Sequence, residues 1–149
     1  MKFSAPKENL LYGISAVQKA ISAKNTVPIL SGIYLKAENG RLTFAATDLE
    51  IAIECTVPAL VINEGEIVLP GRYFAELTRR LPDGEVIFEY QPEAVSMKIT
   101  YENAESTIKG WKGEEFPTIN QINGDNIISI APVEFKNLVR QTTFCANKD

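Results

Sequence analysis

Histidine is absent from this chain of 149 residues. That absence removes the commonest general base, the commonest metal ligand and every catalytic triad built on imidazole. Cysteine is nearly absent too. Cys55 and Cys145 are far apart and match no metal-ligand or redox spacing, so they read as two idle thiols in a reducing compartment. No apolar run approaches the roughly 18 residues that a membrane span requires. The opening MKFSAPKENLL has no long apolar segment and no cleavage-site pattern, which predicts a cytoplasmic rather than a secreted protein. Neither GxGxxG nor GxxxxGK occurs, so no glycine-rich nucleotide loop is available. An RNP-type aromatic motif and a zinc-finger spacing are missing as well.

What remains is ordinary in amount. Hydrophobic residues make up 45% and charged residues 23%, enough apolar material for one domain with a real core, with or without an appendage. The order of that material is more telling. KFSAPKENLLYGIS from Lys2, EIVLPGRYFAELTRR from Glu66 and IISIAPVEFKNLVRQ from Ile127 each run a short alternating strand into a proline and then an amphipathic helix. Proline suits that junction, because its fixed φ fits the first helical turn and its missing N–H would be unpaired there anyway.

The segments after the helices repeat as well. Ile33, Leu35 and Ala37 alternate with polar residues, as do Leu42, Phe44 and Ala46, and then Ile51, Ile53, Cys55 and Val57. This is the period of half-buried strands, and Asn39-Gly40 marks a tight hairpin turn. After the second helix, EVIFEYQ, AVSMKITY and ESTIKGW give three more strands, with turns at Gln91–Glu93 and Glu102–Ala104. The expected class is α+β, with a strand-helix-strand-strand-strand unit occurring twice within residues 1–118, at about 1–62 and 63–118. TINQINGDN reads as a polar linker centred on residues 119–126. A third unit begins at 127 and stops within its helix at Asp149. A lone strand and helix cannot bury their apolar faces, so the expectation is a piece of a longer protein. The alternative is that the last helix caps the first domain.

The formal net charge is −4, yet residues 7–24 carry +2, residues 71–80 carry +2 and residues 133–149 carry +1. The remainder therefore carries −9. Wound at about 100° per residue, the second helix puts Arg72, Glu76, Arg79 and Arg80 on one side and Phe74, Leu77 and Leu81 on the other. In the first helix Leu10, Ile14, Val17 and Ile21 form the apolar stripe, with Lys19 opposite and Lys24 in the following loop. In the third, Lys136 and Arg140 flank Phe135, Leu138 and Val139. Lysine and arginine also serve simply as soluble helix formers. Cations gathered on helices in an otherwise acidic chain point instead to a surface for a polyanion. With few Asn or Gln beside them, these cations suit phosphate contacts without base readout.

Two rival readings remain at this point. Asp48 and Glu50 in TDLE, and the pair Glu114-Glu115, are the candidates for a small carboxylate-dependent enzyme. Asp48 between two strands equally suits closure of a turn through its side chain. A protein-interaction domain with no DNA role is the other.

The opening MKF, TVPIL at Thr26–Leu30, ATDLE at Ala46–Glu50, LP before the second helix, LPDG at Leu81–Gly84 and EFP at Glu115–Pro117 together resemble the bacterial sliding clamps, the beta subunits of DNA polymerase III. Each motif alone is weak; their order and spacing over the whole chain are specific. The resemblance implies a DNA-clamp fold, with helices on the inside and antiparallel sheets outside. It implies three such domains per chain, two chains closing a ring around duplex DNA, and no catalysis and no cofactor or metal. Lys24, Arg72, Arg79, Arg80, Lys19, Lys136 and Arg140 would then line the hole. The strand Glu105–Trp111, with Glu105, Ser106 and Ile108, would form the first-domain side of the joint between chains. The groove that takes the DNA polymerase III catalytic subunit and the clamp loader would lie in domains beyond this sequence, so no residue here is assigned to it. No membrane role is implied.

Overall fold

A computed structural model of the protein describes residues 1–21, 27–102, 104–119 and 128–146. The chain begins with strand β1 (Lys2–Pro6), helix α1 (Lys7–Val17) and a short 3-10 turn over Gln18–Ala20. A second 3-10 turn (Pro28–Ser31) leads into β2 (Gly32–Glu38), β3 (Arg41–Thr47), β4 (Ala52–Pro58) and the short β5 (Leu60–Asn63). The pattern then recurs: β6 (Gly65–Pro70), α2 (Gly71–Arg80), β7 (Glu85–Gln91), β8 (Ser96–Tyr101), β9 (Ala104–Lys109) and the two-residue β10 (Trp111–Lys112). Beyond these, α3 spans Pro132–Thr142. Residues 1–119 form one compact unit and residues 120–149 another.

All strand pairs are antiparallel, in two sheets of order β5-β1-β7-β8-β9 and β10-β6-β2-β3-β4. The two repeats do not fold side by side, because each gives its first strand to the other's sheet. β1 pairs with β7, running from Lys2 opposite Glu89 to Pro6 opposite Glu85. β6 pairs with β2, from Gly65 opposite Ala37 to Pro70 opposite Gly32. In both exchanges the proline that precedes a helix lies opposite the first residue of its partner strand. The repeat also holds a sixth element that the sequence pattern misses. β5 and β10 are short edge strands in corresponding places, beside β1 and β6 respectively.

Between the sheets and the two helices lies one core. Phe3 and Phe88 face each other across the β1–β7 pair, and their rings stack at 4.8 Å. Phe74 of α2 meets Phe88 edge-on at 6.3 Å. Leu10, Ile14 and Val17 of α1 are buried as their spacing requires, with Ile21 packed at the margin. On α2 the buried face is turned from the expected one: Phe74, Ala75 and Thr78 are buried while Leu77 is half-buried. Thr78 is accommodated because its hydroxyl donates to the carbonyl of Phe74, one turn earlier, at 2.8 Å. Asn39 and Gly40 both take positive φ, 50° and 71°, as a two-residue hairpin turn requires. Leu81 is buried at the end of α2, and the LPDG turn is tied to the start of α1 through Lys7 N–H donating to the Gly84 carbonyl at 3.2 Å.

The third repeat departs from its expectation. Residues 128–131 are not paired as a strand, and none of the described residues of α3 is buried. Phe135, Leu138 and Val139 stand 57%, 54% and 44% exposed. Strand pairing needs a neighbour, and residues 128–131 have none among the described residues. The linker expected at 119–126 lies outside the described residues except for Ile119. Cys145 is exposed and Cys55 half-buried, and neither is paired.

Two outcomes follow from this packing. A Cβ on Gly13, in the middle of α1, would run into the Phe44 ring. Gly13→Ala gains about 1 kcal/mol in helix propensity but overpacks a full core, at a cost of about 1–3 kcal/mol. A lowered urea midpoint with an unchanged m-value is expected; a raised midpoint would show that the ring moves aside freely. In hydrogen exchange, amides of 135–142 should exchange far faster than those of 42–46, since an 11-residue helix with no buried face is marginal in water. Equal protection in the two segments would refute that.

Candidate nucleic-acid interface

Helix α2 carries its cations where the fold leaves room for a ligand. Gly71, Phe74, Ala75 and Thr78 take the inward positions, so Arg72, Tyr73, Glu76, Arg79 and Arg80 are left exposed. Arg72 Nε donates to Glu76 Oε1 at 3.3 Å, an exposed pair one turn apart that contributes about 0.3–0.5 kcal/mol. Arg79 and Arg80 have no ion-pair partner among the described residues, and they sit in the last turn, where positive charge also suits the helix dipole. Helix α1 packs against α2 and presents Glu8, Tyr12, Ser15 and, on the following turn, Lys19 to solvent.

The lysines of the strands are treated differently. Lys2 pairs with Glu89 at 3.4 Å, Lys36 with Glu38 at 2.8 Å and Lys98 with Glu105 at 2.7 Å. Lys7, at the start of α1, pairs with Asp83 at 3.3 Å. Arg41, Lys109 and Lys112 lack ion pairs among the described residues but are dispersed over three strands. Among the described residues of 1–119, the unpaired cations of the helical segments are Lys19, Arg79 and Arg80. Lys136 and Arg140 are exposed on α3, in the second unit. Lys24 lies outside the described residues.

The residues expected at a joint between chains lie on β9, the edge strand of its sheet. They do not act alike. Ser106 and Ile108 share the inward face, and Ile108 is only 2% exposed, opposite Met97 in the core. The Ser106 and Tyr101 hydroxyls are 3.3 Å apart. Glu105 faces outward, paired with Lys98. The period-2 alternation makes Ile108 a core residue and leaves Glu105, Thr107 and Lys109 on the exposed face of β9.

Of the carboxylate candidates, Asp48 closes a turn. Asp48 Oδ1 accepts the N–H groups of Glu50 at 3.0 Å and Ile51 at 2.8 Å. Thr47 completes the turn, its hydroxyl donating to the Ile51 carbonyl at 2.9 Å and accepting from Leu49 N–H at 3.0 Å. Leu49 is thereby held at φ 79°. Glu114 and Glu115 are exposed on the 3-10 turn Gly113–Glu115. Among the described residues no group of three or more Cys, Asp or Glu side chains is placed to hold a metal ion. No helix among them is long and apolar enough to cross a membrane.

The family model of the DNA polymerase III beta subunit, N-terminal domain, matches residues 1–120. The chain belongs to that family. The "Beta sliding clamp" of Bacillus subtilis strain 168 is 33% identical over 99% of this chain, and that of Staphylococcus aureus strain N315 is 29% identical over the same share. This chain spans about two fifths (41%) of the length of those curated relatives. Among solved structures, the DNA polymerase sliding clamp of Bacillus subtilis superposes with a TM-score of 0.94 at 32% identity. The superposition covers 100% of this chain and 41% of that one. The clamp of Caulobacter crescentus gives 0.92 at 29% identity, covering 100% and 40%. The α+β architecture of paired antiparallel sheets and helices is the clamp fold of this family.

The family's motifs prove to be joints of the fold. The turn of TVPIL begins at Pro28 and buries Leu30. In EFP, the Phe116 ring stacks on Tyr34 at 5.2 Å, while the Tyr34 hydroxyl donates to Glu66 Oε2 at 2.6 Å. Burial, and then Glu66, hold the Tyr34 phenol well above its usual pKa. In ATDLE, the backbone N–H of Ile51, followed by that of Glu50, holds the Asp48 carboxyl below its usual range. A carboxyl lowered in the folded state contributes stability above its unfolded pKa of about 3.9. That contribution is lost as pH falls through the folded value. Asp48→Ala should therefore destabilise the protein at neutral pH, and the difference from the parent should shrink below about pH 4. Chemical denaturation at several pH values tests this; a difference independent of pH would assign the effect to the turn's shape alone.

Proposed function

We propose that this chain is the first domain, with the opening of the second, of a bacterial sliding clamp. In this reading it is a processivity factor of DNA replication, a ring that encircles duplex DNA and tethers DNA polymerase III. The observation that carries the reading is the unpaired cationic side made by Arg79 and Arg80 of α2, with Arg72 beside them and Lys19 on the neighbouring helix. Lys2, Lys36 and Lys98 of the strands are paired with carboxylates, whereas Arg79 and Arg80 of α2 are left for a ligand. Lys24, Lys136 and Arg140 belong to this proposal as further DNA contacts of the full-length ring.

Mechanistically, such a surface performs no reaction. Phosphate contacts through exposed Lys and Arg are weak, salt-dependent and equivalent at every base pair. Equivalence lets the ring slide, and closure rather than affinity keeps it on the DNA. Closure joins two full-length chains, with the free edge of β9 on the first-domain side of the joint. The polymerase and the clamp loader bind elsewhere on the full-length ring, in the cytoplasm.

The 149-residue chain cannot encircle anything, so only the electrostatic part of its binding should remain. Fluorescence anisotropy with two unrelated duplexes should give equal dissociation constants, on the order of 10⁻⁴ M or weaker at physiological salt. Binding should tighten steeply as salt is lowered. Neutralising Arg72, Arg79 and Arg80 together should flatten the log–log salt slope by about 2 to 3. Submicromolar binding at physiological salt, or a clear preference for one duplex, would sink the reading.

A further inference from the structure

The cationic side of the helices also carries two exposed aromatic rings, Tyr12 at 67% and Tyr73 at 55% exposure. Neither hydroxyl is engaged in a hydrogen bond with another described residue. On α1, Tyr12 and Lys19 stand on the same stripe with Ser15 between them, and Ala16 lies one turn beyond Tyr12. The two long side chains rise over the small pair. Together with Leu11 they border a shallow, open depression. On α2, Tyr73 lies about 20° from Arg80 around the helix axis.

Duplex DNA has little use for such rings. Its bases are stacked on one another, and a passing duplex presents phosphates, sugars and base edges, for which cations and hydroxyl groups suffice. Unpaired bases, in contrast, expose flat π-faces. Proteins that hold single strands combine a positive surface along the backbone with aromatic side chains on which the bases stack, whatever their sequence. The pieces stand together on this helical side: Tyr12 with Lys19, and Tyr73 with Arg80, with Arg79 farther round the same helix. Glu8 and Glu76 are the carboxylates on the same faces, and Glu76 is paired with Arg72.

We propose that the exposed faces of α1 and α2 form a binding site for single-stranded DNA, with Tyr12 and Tyr73 as stacking platforms and Lys19, Arg79 and Arg80 holding the phosphates. The Tyr12–Lys19 depression takes one nucleotide, its base on the ring and its phosphate at the ammonium group. This rests on the reading of these helices as DNA-facing and adds to it a second form of DNA, recognised by a different chemistry.

The test uses the 149-residue chain, fluorescein-labelled oligo(dT) and a duplex carrying the same number of phosphates, at low salt. Oligo(dT) is expected to bind more tightly than the duplex. Tyr12→Leu and Tyr73→Leu, at exposed positions where folding is checked by circular dichroism and the urea midpoint, should each weaken oligo(dT) binding about fivefold or more. Duplex binding should stay within twofold. Tyr12→Phe, which keeps the ring and drops the hydroxyl, should bind as the parent does. Quenching of tyrosine emission by oligo(dT), lost in the double Leu variant, would confirm the stacking. If both DNAs bind and neither Leu variant discriminates between them, the stacking site is refuted while the DNA-facing reading stands. If Phe is as damaging as Leu, the hydroxyl rather than the ring makes the contact, and the proposal also fails. If neither DNA binds even at low salt, both readings fall together.

Discussion

The stack of Phe3 on Phe88 holds the first domain together. Phe3 belongs to the first repeat and Phe88 to the second, and they face each other where β1 enters the other repeat's sheet. Phe74 closes on the same ring from α2. Because β6 makes the reciprocal exchange with β2, neither repeat has a complete sheet of its own. Both sheets and both helices therefore share one core, running from Phe3 and Leu10 to Ile99 and Ile108. The exchange also places α1 and α2 side by side. A continuous helical surface is thus a consequence of how the strands are shared, and the cations are gathered by the fold rather than by proximity in sequence.

Charge is then sorted by layer. A lysine on a strand has carboxylates within reach on neighbouring strands, as Lys98 has Glu105 and Lys2 has Glu89. Arg79 and Arg80 have no such neighbour, because α2 turns its buried side to the core and its last turn outward. Exposed pairs of this kind add little to stability, so the pattern matters more for the field outside the molecule than for the fold. An acidic protein with one basic side attracts a polyanion to that side and discourages it elsewhere. This is the physical basis for the proposed clamp function and for its independence of base sequence.

Much of this was legible in the residues, for local reasons. Alternation in Ile33–Ala37 and Leu42–Ala46 reports strands because a strand's side chains alternate between faces. Asn39-Gly40 reports its turn because both positions need positive φ. The separation of Arg72, Arg79 and Arg80 from Phe74 follows from the helical period alone. Other features left no local mark. Leu60–Asn63 and Trp111–Lys112 are too short to show a period, and become strands only because β1 and β6 offer free edges. Thr78 is buried where Leu77 is only half-buried, and its hydrogen bond to the Phe74 carbonyl satisfies the hydroxyl there. The strand expected before α3 is unpaired because pairing requires a partner, and periodicity supplies none.

By itself, then, the sequence determined the local elements and the family. The longer strands and the helices, the turns that close them and the places of cations around each helix are set by interactions within a few residues. The pairing of β1 with β7 and β6 with β2, the single core and the side-by-side helices were decided only in the tertiary structure. Those depend on contacts between residues dozens of positions apart, whose free energy exists only once the two sheets close on each other. No window of the sequence contains both partners.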